Sequence, residues 1–453
     1  MHFRNLAPHP DIGANLYQLT FGDTQIVLDA GVHPKHIGRD SLPLYNLLKP
    51  GSVDAVLVSH PHLDHIGSLP LLARHHPEAV IAMTEPTRDC GIALLHNSVN
   101  VMKAQRKQFG ETSYPLFSHR ELDQVERAIH CRAIGQEFSL GERDRVRCEF
   151  HHAGHVLGAI GMRLSFEDHT LFYTGDVHFE NQTLTSAASF PEDPVDTLIM
   201  ETTRGDSIRP AGYTREAEKQ RFGRCIAETL DRGGAVLTPV FAFGKTQEVI
   251  TMIRELMEEG AIPEVPVHIG GLSTRMASLA DGFADDPRRL HSGFRLLHDF
   301  RPLRTMPRGR LEPDFRPGEI YTLSSGMMTE KTVSNRFARH ILRSPEHALL
   351  FVGYADKDSP AGRILATAPG EKVVLDANEN SSFRLRCQVE KFDFSGHAPR
   401  EKLLAFATRC RPKTIILVHG DPAAREWFRG ELARELPATR VVIPQPGEKI
   451  ALA

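Results

Sequence analysis

Short apolar runs along the chain are each followed by a polar residue with metal-binding or acid–base chemistry. The segment Val53–Val58 is largely aliphatic and partly β-branched, which predicts a buried strand that ends just before His60. Similar strands are predicted at 24–28, 149–152, 169–173, 196–200 and 414–418. The polar residues that follow these strands are Asp29, His60, His155, Asp176, Glu201 and His419. Because side chains just past strand ends gather at one edge of a layered α/β sheet, they are predicted to form a single site.

The middle of the chain shows a second alternation of predicted elements. A helix is predicted from a cap at Thr214 to about Leu230, and the apolar period of residues 244–258 predicts another. Strands are predicted at 235–240 and 347–354. Strand and helix in alternation indicate a parallel α/β unit of its own. We therefore predict a domain inserted into the first one.

The predicted domain organisation has a first domain in two parts. Its first part is 1–203, the inserted domain is 204–371, and 372–453 completes the first domain. The length of 453 residues agrees with more than one core.

Composition narrows the class of protein. With 41% hydrophobic and 25% charged residues the chain is typical of soluble globular proteins, and its net charge of −3 gives no overall basic field. The N-terminal stretch lacks the apolar core of a signal peptide, and no apolar stretch has bilayer length. The six cysteines form no CxxC pair, which is typical of reduced thiols. We expect a cytoplasmic protein with no membrane partner.

The segment His60-Pro-His62-Leu-Asp64-His65 is the strongest chemical signal in the chain. Imidazole nitrogens and carboxylate oxygens are ligands that suit Zn²⁺ and similar metals. The ligand directions in so short a loop diverge, so two neighbouring ions share them more readily than one ion takes them all. With 24 histidines some clustering arises by chance, and a solvated loop is the alternative. The spacing at a strand end favours a binuclear hydrolytic site.

These motifs occur in the chain order of a known superfamily. The ligand positions, with Asp29-Ala-Gly31 before them, resemble those of the metallo-β-lactamase fold. The remaining motifs resemble those of the β-CASP family of zinc nucleases: Glu201 in METTRGD, PVFAFGKTQE at 239–248, SSGMM at 324–328, FSGH at 394–397 and LVHGD at 417–421.

The resemblance implies a fold. It implies a four-layer αββα metallo-β-lactamase sandwich with an inserted parallel α/β β-CASP domain. The chain ends shortly after the last motif and therefore resembles the compact bacterial and archaeal relatives of the pre-mRNA 3′-end processing endonuclease.

The resemblance also implies two zinc ions, with Mn²⁺ or Fe as alternatives for such nitrogen and oxygen ligands. The implied ligands of one ion are His60, His62 and His155, those of the other are Asp64, His65 and His419, and Asp176 bridges both. The two ions would yield a hydroxide near neutral pH that attacks phosphorus.

Further roles follow from the same resemblance. Asp64 and Asp176 count among the catalytic residues as well as the ligands. His397 is the candidate general acid for the leaving 3′-oxygen, and Glu201 holds a histidine in one tautomer. Asp29 is expected to support the ligands. The products would carry a 5′-phosphate and a 3′-hydroxyl.

The implied substrate is RNA, most simply single-stranded. The histidine at position 419 favours RNA by family association, with endonucleolytic cleavage and 5′-to-3′ exonucleolytic cleavage both compatible. The predicted substrate-binding residues are Lys245, Ser324, Ser325 and Gly326, for which an ordinary turn is the alternative. A homodimer is compatible with the chain.

Two segments depart from the family pattern and keep other functions open. Residues 329–334 and 356–361 differ from it, and Asp356 and Asp358 add negative charge that opposes phosphate. The alternatives are a metal-dependent hydrolase of DNA or of a small ester or thioester, and a non-catalytic scaffold.

Overall fold

The computed structural model describes residues 1–141, 145–307, 310–376 and 381–452, and the chain divides into two compact units. The first unit comprises Met1–Asn181, Ala187–Arg209 and His397–Ala453. The second comprises Gln182–Ser186 and Pro210–Gly396. Among the described residues, no helix is both long and apolar enough to cross a bilayer.

Strands and helices alternate through most of the chain. The strands are β1 His2–Asn5, β2 Tyr17–Phe21, β3 Thr24–Leu28, β4 Ala55–Leu57, β5 Val80–Met83, β6 Ile129–Cys131, β7 Glu137–Leu140, β8 Val146–His152, β9 Ile160–Phe166, β10 His169–Tyr173, β11 Thr197–Glu201, β12 Val236–Pro239, β13 Val267–Ile269, β14 Leu303–Thr305, β15 Ile320–Leu323, β16 Ala348–Phe351, β17 Lys372–Asp376, β18 Ser381–Arg384, β19 Gln388–Lys391, β20 Thr414–Val418, β21 Arg440–Val442 and β22 Lys449–Ala451. The α-helices are α1 Leu63–Ile66, α2 Leu69–His75, α3 Glu85–Phe109, α4 His119–Ala128, α5 Arg215–Asp231, α6 Lys245–Glu258, α7 Leu272–Gly282, α8 Leu296–Asp299, α9 Val333–Ile341, α10 Pro360–Ala366, α11 Arg400–Cys410 and α12 Pro422–Glu435.

The first unit is built on two sheets that face each other. Their strand orders are β22-β1-β2-β3-β4-β5-β6 and β21-β20-β11-β10-β9-β8-β7. Side chains from both sheets, such as Leu19 and Met162, are fully buried in one apolar cluster between them. In β8 every second side chain is buried, the alternation expected of a strand with one face on a core.

Helices cover the outer faces of both sheets. Leu72 of α2 and Leu95 of α3 share an apolar cluster with Val56 of β4. Phe406 of α11 packs in another cluster with strand residues of the second sheet. The layers therefore run helix, sheet, sheet, helix, which confirms the predicted αββα fold class.

The second unit contains a parallel sheet with the strand order β14-β13-β15-β12-β16-β19. Val236 and Leu237 of β12 point into different apolar clusters, so both faces of this sheet are covered. The side chain of Thr214 accepts a hydrogen bond from the amide of Ala217, and this cap begins α5 as predicted.

The limits of the compact units differ from the predicted domain boundaries. The units divide at 209/210 and 396/397, whereas the predicted boundaries are 203/204 and 371/372. Strand β19 pairs in parallel with β16, so the chain stays in the sheet of the second unit past residue 371. The domain boundaries themselves stay a prediction.

Candidate metal centre

The polar residues that follow the strands of the first unit lie together where strands of both sheets end. Strands β10, β11 and β20 are parallel neighbours, and so are β3 and β4, which places their carboxyl ends side by side. Polar side chains from these strand ends, from residues 60–65 before and within α1, from the turn after β8 and from the segment before α11 form three overlapping groups. The groups are His60, His62, His155 with Asp176; Asp64, His65 with His419; and Asp176, Glu201, His397 with His419.

In the first group the ring nitrogens converge on one point. His62 Nδ1 lies 3.1 Å from His60 Nε2 and 3.2 Å from His155 Nε2. The carboxylate oxygen Oδ2 of Asp176 lies 3.5 Å from His60 Nε2 and 3.8 Å from His155 Nε2. These are the four side chains expected around one ion.

The second group faces the other oxygen of the same carboxylate. Asp176 Oδ1 lies 3.5 Å from His65 Nε2 and 3.3 Å from His419 Nδ1. Asp64 Oδ2 lies 3.2 Å from His419 Nε2 and 3.5 Å from His65 Nε2. Asp176 thus presents one oxygen to each group, which is the arrangement of a bridging carboxylate.

The donor atoms fit metal cations. Two neutral ring nitrogens at hydrogen-bond distance attract each other only when a proton or a cation lies between them. Asp176 is 3% exposed, and its Oδ1 is buried without a hydrogen bond from any described residue. A buried polar atom of this kind needs a partner, and a cation supplies one for both oxygens.

Left-handed backbone geometry at two of these positions supports a functional site. Asp29 has φ +60° and His419 has φ +45°, values that residues other than glycine rarely adopt. Such strain persists where the surrounding structure compensates for it, and it is common at active sites. Gly154, just before His155, has φ +68°, and a Cβ there would lie 2.4 Å from the carbonyl oxygen of His178.

Asp29 contacts Nδ1 of His65, on the opposite side of the ring from the nitrogen that faces Asp64 and Asp176. Its carboxylate is fully buried and accepts hydrogen bonds from the amide of Ser59 at 2.7 Å and the hydroxyl of Tyr173 at 2.6 Å. His65 Nδ1 lies 2.8 Å from Asp29 Oδ2. Because a carboxylate only accepts, Nδ1 carries the proton, and Nε2 is left to face Asp64 and Asp176.

Glu201 makes the matching contact to His397. His397 Nδ1 lies 3.2 Å from both carboxylate oxygens of Glu201, which is 1% exposed. The amide of Val177 donates to Glu201 Oε1 at 2.8 Å and keeps the carboxylate in place. Burial opposes a charge on His397, but Glu201 and Asp176 outweigh it and raise the pKa of this histidine above its ordinary value.

The ligand groups divide into neutral rings and charged partners. Burial lowers the pKa of His60 well below its ordinary value and also lowers that of His62, so both rings are neutral as ligation requires. Burial also opposes charge on Asp176, yet His419 and His65 hold its pKa well below the ordinary value. The pKa of His65 is instead raised well above its ordinary value despite burial, because Asp176 and Asp64 lie beside it, and a cation bound to this ring would displace its proton.

Comparison with known families agrees with this geometry. Residues 11–210 match the profile described as "Metallo-beta-lactamase superfamily". Residues 382–444 match the profile described as "Zn-dependent metallo-hydrolase RNA specificity domain". The chain therefore contains a domain of the metallo-β-lactamase superfamily. The resemblance to its β-CASP family, stated above from the motifs, is confirmed.

Relatives within the superfamily include two kinds of named protein. "Transcription termination factor FttA" of Methanothermobacter thermautotrophicus is 29% identical over 434 residues, covering 91% of this chain and 65% of the relative. "Endoribonuclease YSH1" of Eremothecium gossypii is 27% identical over 438 residues, covering 92% of this chain and 55% of the relative. The chain thus spans less than two thirds of the length of these curated relatives.

A solved structure shares the fold over nearly the whole chain. It is titled "Crystal Structure of a Protein of Unknown Function from Enterococcus faecalis V583" and is 14% identical, with a TM-score of 0.59. The match covers 99% of both chains. At this identity the likeness concerns the fold alone.

Several residues of this metallo-β-lactamase site were absent from the sequence-based prediction. Asn15 Nδ2 lies 3.1 Å from His65 Nε2, and the Thr203 hydroxyl lies 2.9 Å from His419 Nδ1. Ser59 and Tyr173 hydrogen-bond to Asp29, as described above. Ser59 and Thr203 lie within two residues of predicted site residues, so proximity in sequence was the available signal. Tyr173 ends a predicted strand three residues before Asp176, whereas Asn15 had no such signal.

The predicted substrate-binding residues lie in the second unit. Lys245 begins α6, and its Nζ donates to the carbonyl of Phe394. The Ser325 hydroxyl accepts from the amide of Thr329 at 3.1 Å and is therefore part of the local turn. Lys245 and Gly326 line one shallow pocket, whose lining does not include Ser324 or Ser325.

Proposed function

We propose that this chain is a zinc-dependent ribonuclease that hydrolyses phosphodiester bonds of single-stranded RNA. Cleavage is endonucleolytic, with 5′-to-3′ exonucleolytic cleavage as a further mode, and leaves 5′-phosphate and 3′-hydroxyl ends. The observation that carries the proposal is the position of Asp176, whose two oxygens face two separate groups of metal-type ligands. The match to a profile for RNA specificity supports RNA as the substrate.

The proposed ligands are the ones expected from the sequence. One ion would be held by His60, His62 and His155, a second by Asp64, His65 and His419, with Asp176 shared. Ions bound in such a pair lower the pKa of water and neutralise charge on phosphoryl oxygens. Mn²⁺ or Fe could use the same nitrogen and oxygen donors.

The side chains around the ligands orient them and move a proton. Asp29 fixes the tautomer of His65, and Glu201 keeps the proton of His397 on Nδ1 by accepting it. His397 has a raised pKa and is therefore a fit general acid, which would protonate the leaving 3′-oxygen of the cleaved strand. Glu201 acts through His397 as a positioning residue.

The relatives support RNA processing as the context. They are named as an endoribonuclease and a transcription termination factor, and both names concern RNA. The cysteines among the described residues form no disulfide, in keeping with the cytoplasmic setting that we propose. A homodimer stays a prediction.

Cleavage of a 5′-labelled single-stranded RNA by the purified protein with Zn²⁺ tests the proposal. We expect internal fragments with 3′-hydroxyl ends, lost in Asp64→Ala and retained in Asp193→Ala, a matched change at an exposed carboxylate. A DNA strand of the same sequence and a nitrophenyl ester are tested as substrates in parallel. If the protein binds zinc and hydrolyses only DNA or the ester, RNA is the wrong substrate. If it binds zinc and RNA without hydrolysing any of them, it is a scaffold.

A further inference from the structure

Two exposed aromatic rings lie close to Lys245 in the second unit. Phe241 is 39% and Tyr354 is 56% exposed, which is high for side chains of this size. Both line the shallow pocket that Lys245 and Gly326 also line. The pocket therefore combines two aromatic side chains, a cation and a small-residue loop.

The pocket lies at the carboxyl edge of the parallel sheet. Strand β12 pairs in parallel with both β15 and β16, so the three strands end side by side. Phe241 follows β12, Gly326 follows β15 and Tyr354 follows β16, each by two or three residues. The carboxyl edge is where parallel α/β sheets bind ligands. The aromatic pair therefore stands where a ligand of this unit is expected.

The loop after β15 packs closely on the first ring. A Cβ at Gly326 would lie 3.1 Å from the amide nitrogen of Phe241 and 3.2 Å from its ring atom Cδ2. Because Gly326 has no Cβ, the loop can approach Phe241 this closely without a clash. The loop therefore limits the movement of the Phe241 ring.

The second ring is held by a carboxylate of the divergent segment. The hydroxyl of Tyr354 donates to Asp356 Oδ2 at 3.3 Å, and the amide of Asp358 donates to Asp356 Oδ1 at 2.9 Å. Asp356 is 7% exposed. The carboxylate is therefore largely enclosed in its own loop, where it accepts these two hydrogen bonds.

Exposed rings that share a pocket with a lysine match the chemistry of a nucleotide. Aromatic faces stack on nucleobases of any sequence, and a lysine complements the phosphate. We propose that Phe241 and Tyr354 form a base-stacking surface for single-stranded RNA, with Lys245 on the phosphate side. This inference rests on the proposed function and assigns the base contacts of its substrate.

RNA binding by ring-deletion variants tests the inference. Phe241→Leu and Tyr354→Leu are made in Asp64→Ala protein, so that bound RNA stays intact, and Kd is measured by fluorescence anisotropy with a labelled single-stranded RNA. We expect each variant to weaken binding by roughly 5- to 150-fold, the equivalent of one stacked base. Thermal melts of each variant confirm that it is folded.

Two further variants serve as matched controls. Phe109→Leu removes a ring that is 54% exposed in the first unit and is expected to bind RNA like the parent. Tyr354→Phe keeps the ring and loses only the hydroxyl, so its Kd should stay within about threefold of the parent.

Removing single bases from the RNA should weaken binding to the parent at one or two positions, and this effect should vanish in Phe241→Leu/Tyr354→Leu.

The outcomes separate the two proposals. If the parent binds and wild-type protein cuts RNA, while both leucine variants bind as tightly as the parent, the stacking surface is refuted and the ribonuclease stands. If wild-type protein with zinc neither binds nor cuts RNA, both proposals fail. If Tyr354→Phe loses as much affinity as Tyr354→Leu, the hydroxyl and not the ring makes the contact.

Discussion

Both units place polar or aromatic side chains just after parallel strands, yet the two sets of side chains differ in burial. In the first unit Asp176 and His65 are almost fully buried, and their pKa values are strongly displaced. In the second unit Phe241 and Tyr354 are exposed and carry no charge. Burial strengthens electrostatic interactions, and catalysis depends on them. Exposure instead leaves the surface of an aromatic ring available for contact with a ligand. The comparison predicts large effects of substitution in the first set and small ones in the second.

The largest effect is expected for Asp176→Asn. It removes one charge from the carboxylate that faces both ligand groups, so RNA cleavage should fall by at least about 10³-fold, equal to about 4 kcal/mol of transition-state stabilisation. Bound zinc, measured by atomic absorption, should fall with it. Asp193→Asn is the matched control. Normal cleavage by Asp176→Asn would show that the buried carboxylate is not needed for the reaction and would contradict the proposed difference between the two units.

His397→Gln should reduce the rate of cleavage by about 10²- to 10⁴-fold, because glutamine cannot supply the proton. Zinc content should stay near that of the wild type, since His397 is not among the proposed ligands. A substrate with an activated leaving group needs little protonation, and its hydrolysis should be much less affected. An equal loss on both substrates would contradict the assignment of His397 as general acid.

Asp29→Asn should lower zinc affinity by about 10- to 100-fold, the usual cost of losing a carboxylate behind a metal-binding histidine. Competition with a chromophoric chelator measures this affinity. Asp54→Asn, at a carboxylate that accepts from the Gln25 amide in the same unit, provides the control. Unchanged zinc affinity in Asp29→Asn would show that its hydrogen bonds serve the fold and not the site.

Zinc removal should destabilise the first unit and leave the second almost unchanged. At free zinc one hundred times its Kd, binding contributes about 2.7 kcal/mol to the first unit. Hydrogen exchange with and without a chelator measures this, and protection should fall in β8 and β10 but not in β12 and β16. Equal loss of protection in both units would mean that they unfold as one.

The smallest effect is expected for the stability of Phe241→Leu. An exposed side chain contributes little to packing, so the free energy of unfolding should change by about 0.5 kcal/mol or less. Phe337→Ala, at a fully buried ring of the same unit, should cost about 3–5 kcal/mol. Denaturant unfolding measures both. A large loss in Phe241→Leu would mark Phe241 as a structural residue and weaken the stacking proposal.

Much of the fold was predictable because local signals agreed with the final structure. The run at 53–58 contains β4, and the helix capped by Thr214 begins where the cap predicts. Strand β19 had no such signal, because Val389 is the one apolar residue in Gln388–Lys391 and the segment shows no alternation of apolar and polar residues. Its place in the sheet depends on pairing with β16, so the limits of the second unit could not be read from composition.

The charge of Asp356 shows how position changes the meaning of a residue. In sequence it adds negative charge to a segment expected near RNA, and that charge opposes phosphate. In the structure the carboxylate is buried in its own loop and accepts from Tyr354 and Asp358. The sequence provides the residue type, whereas the side chain's direction follows from the turn that Asp356 helps to form.

The sequence by itself determined the residue types at the strand ends and the close grouping of His60, His62, Asp64 and His65, because these are set within a few residues of chain. Only the tertiary structure decided that Asp176 turns one oxygen to each ligand group and that Tyr173 and Asp29 meet behind His65. Those contacts join residues far apart in the chain. They depend on which strands become neighbours and how the two sheets pack, and apolar burial across the whole unit sets both.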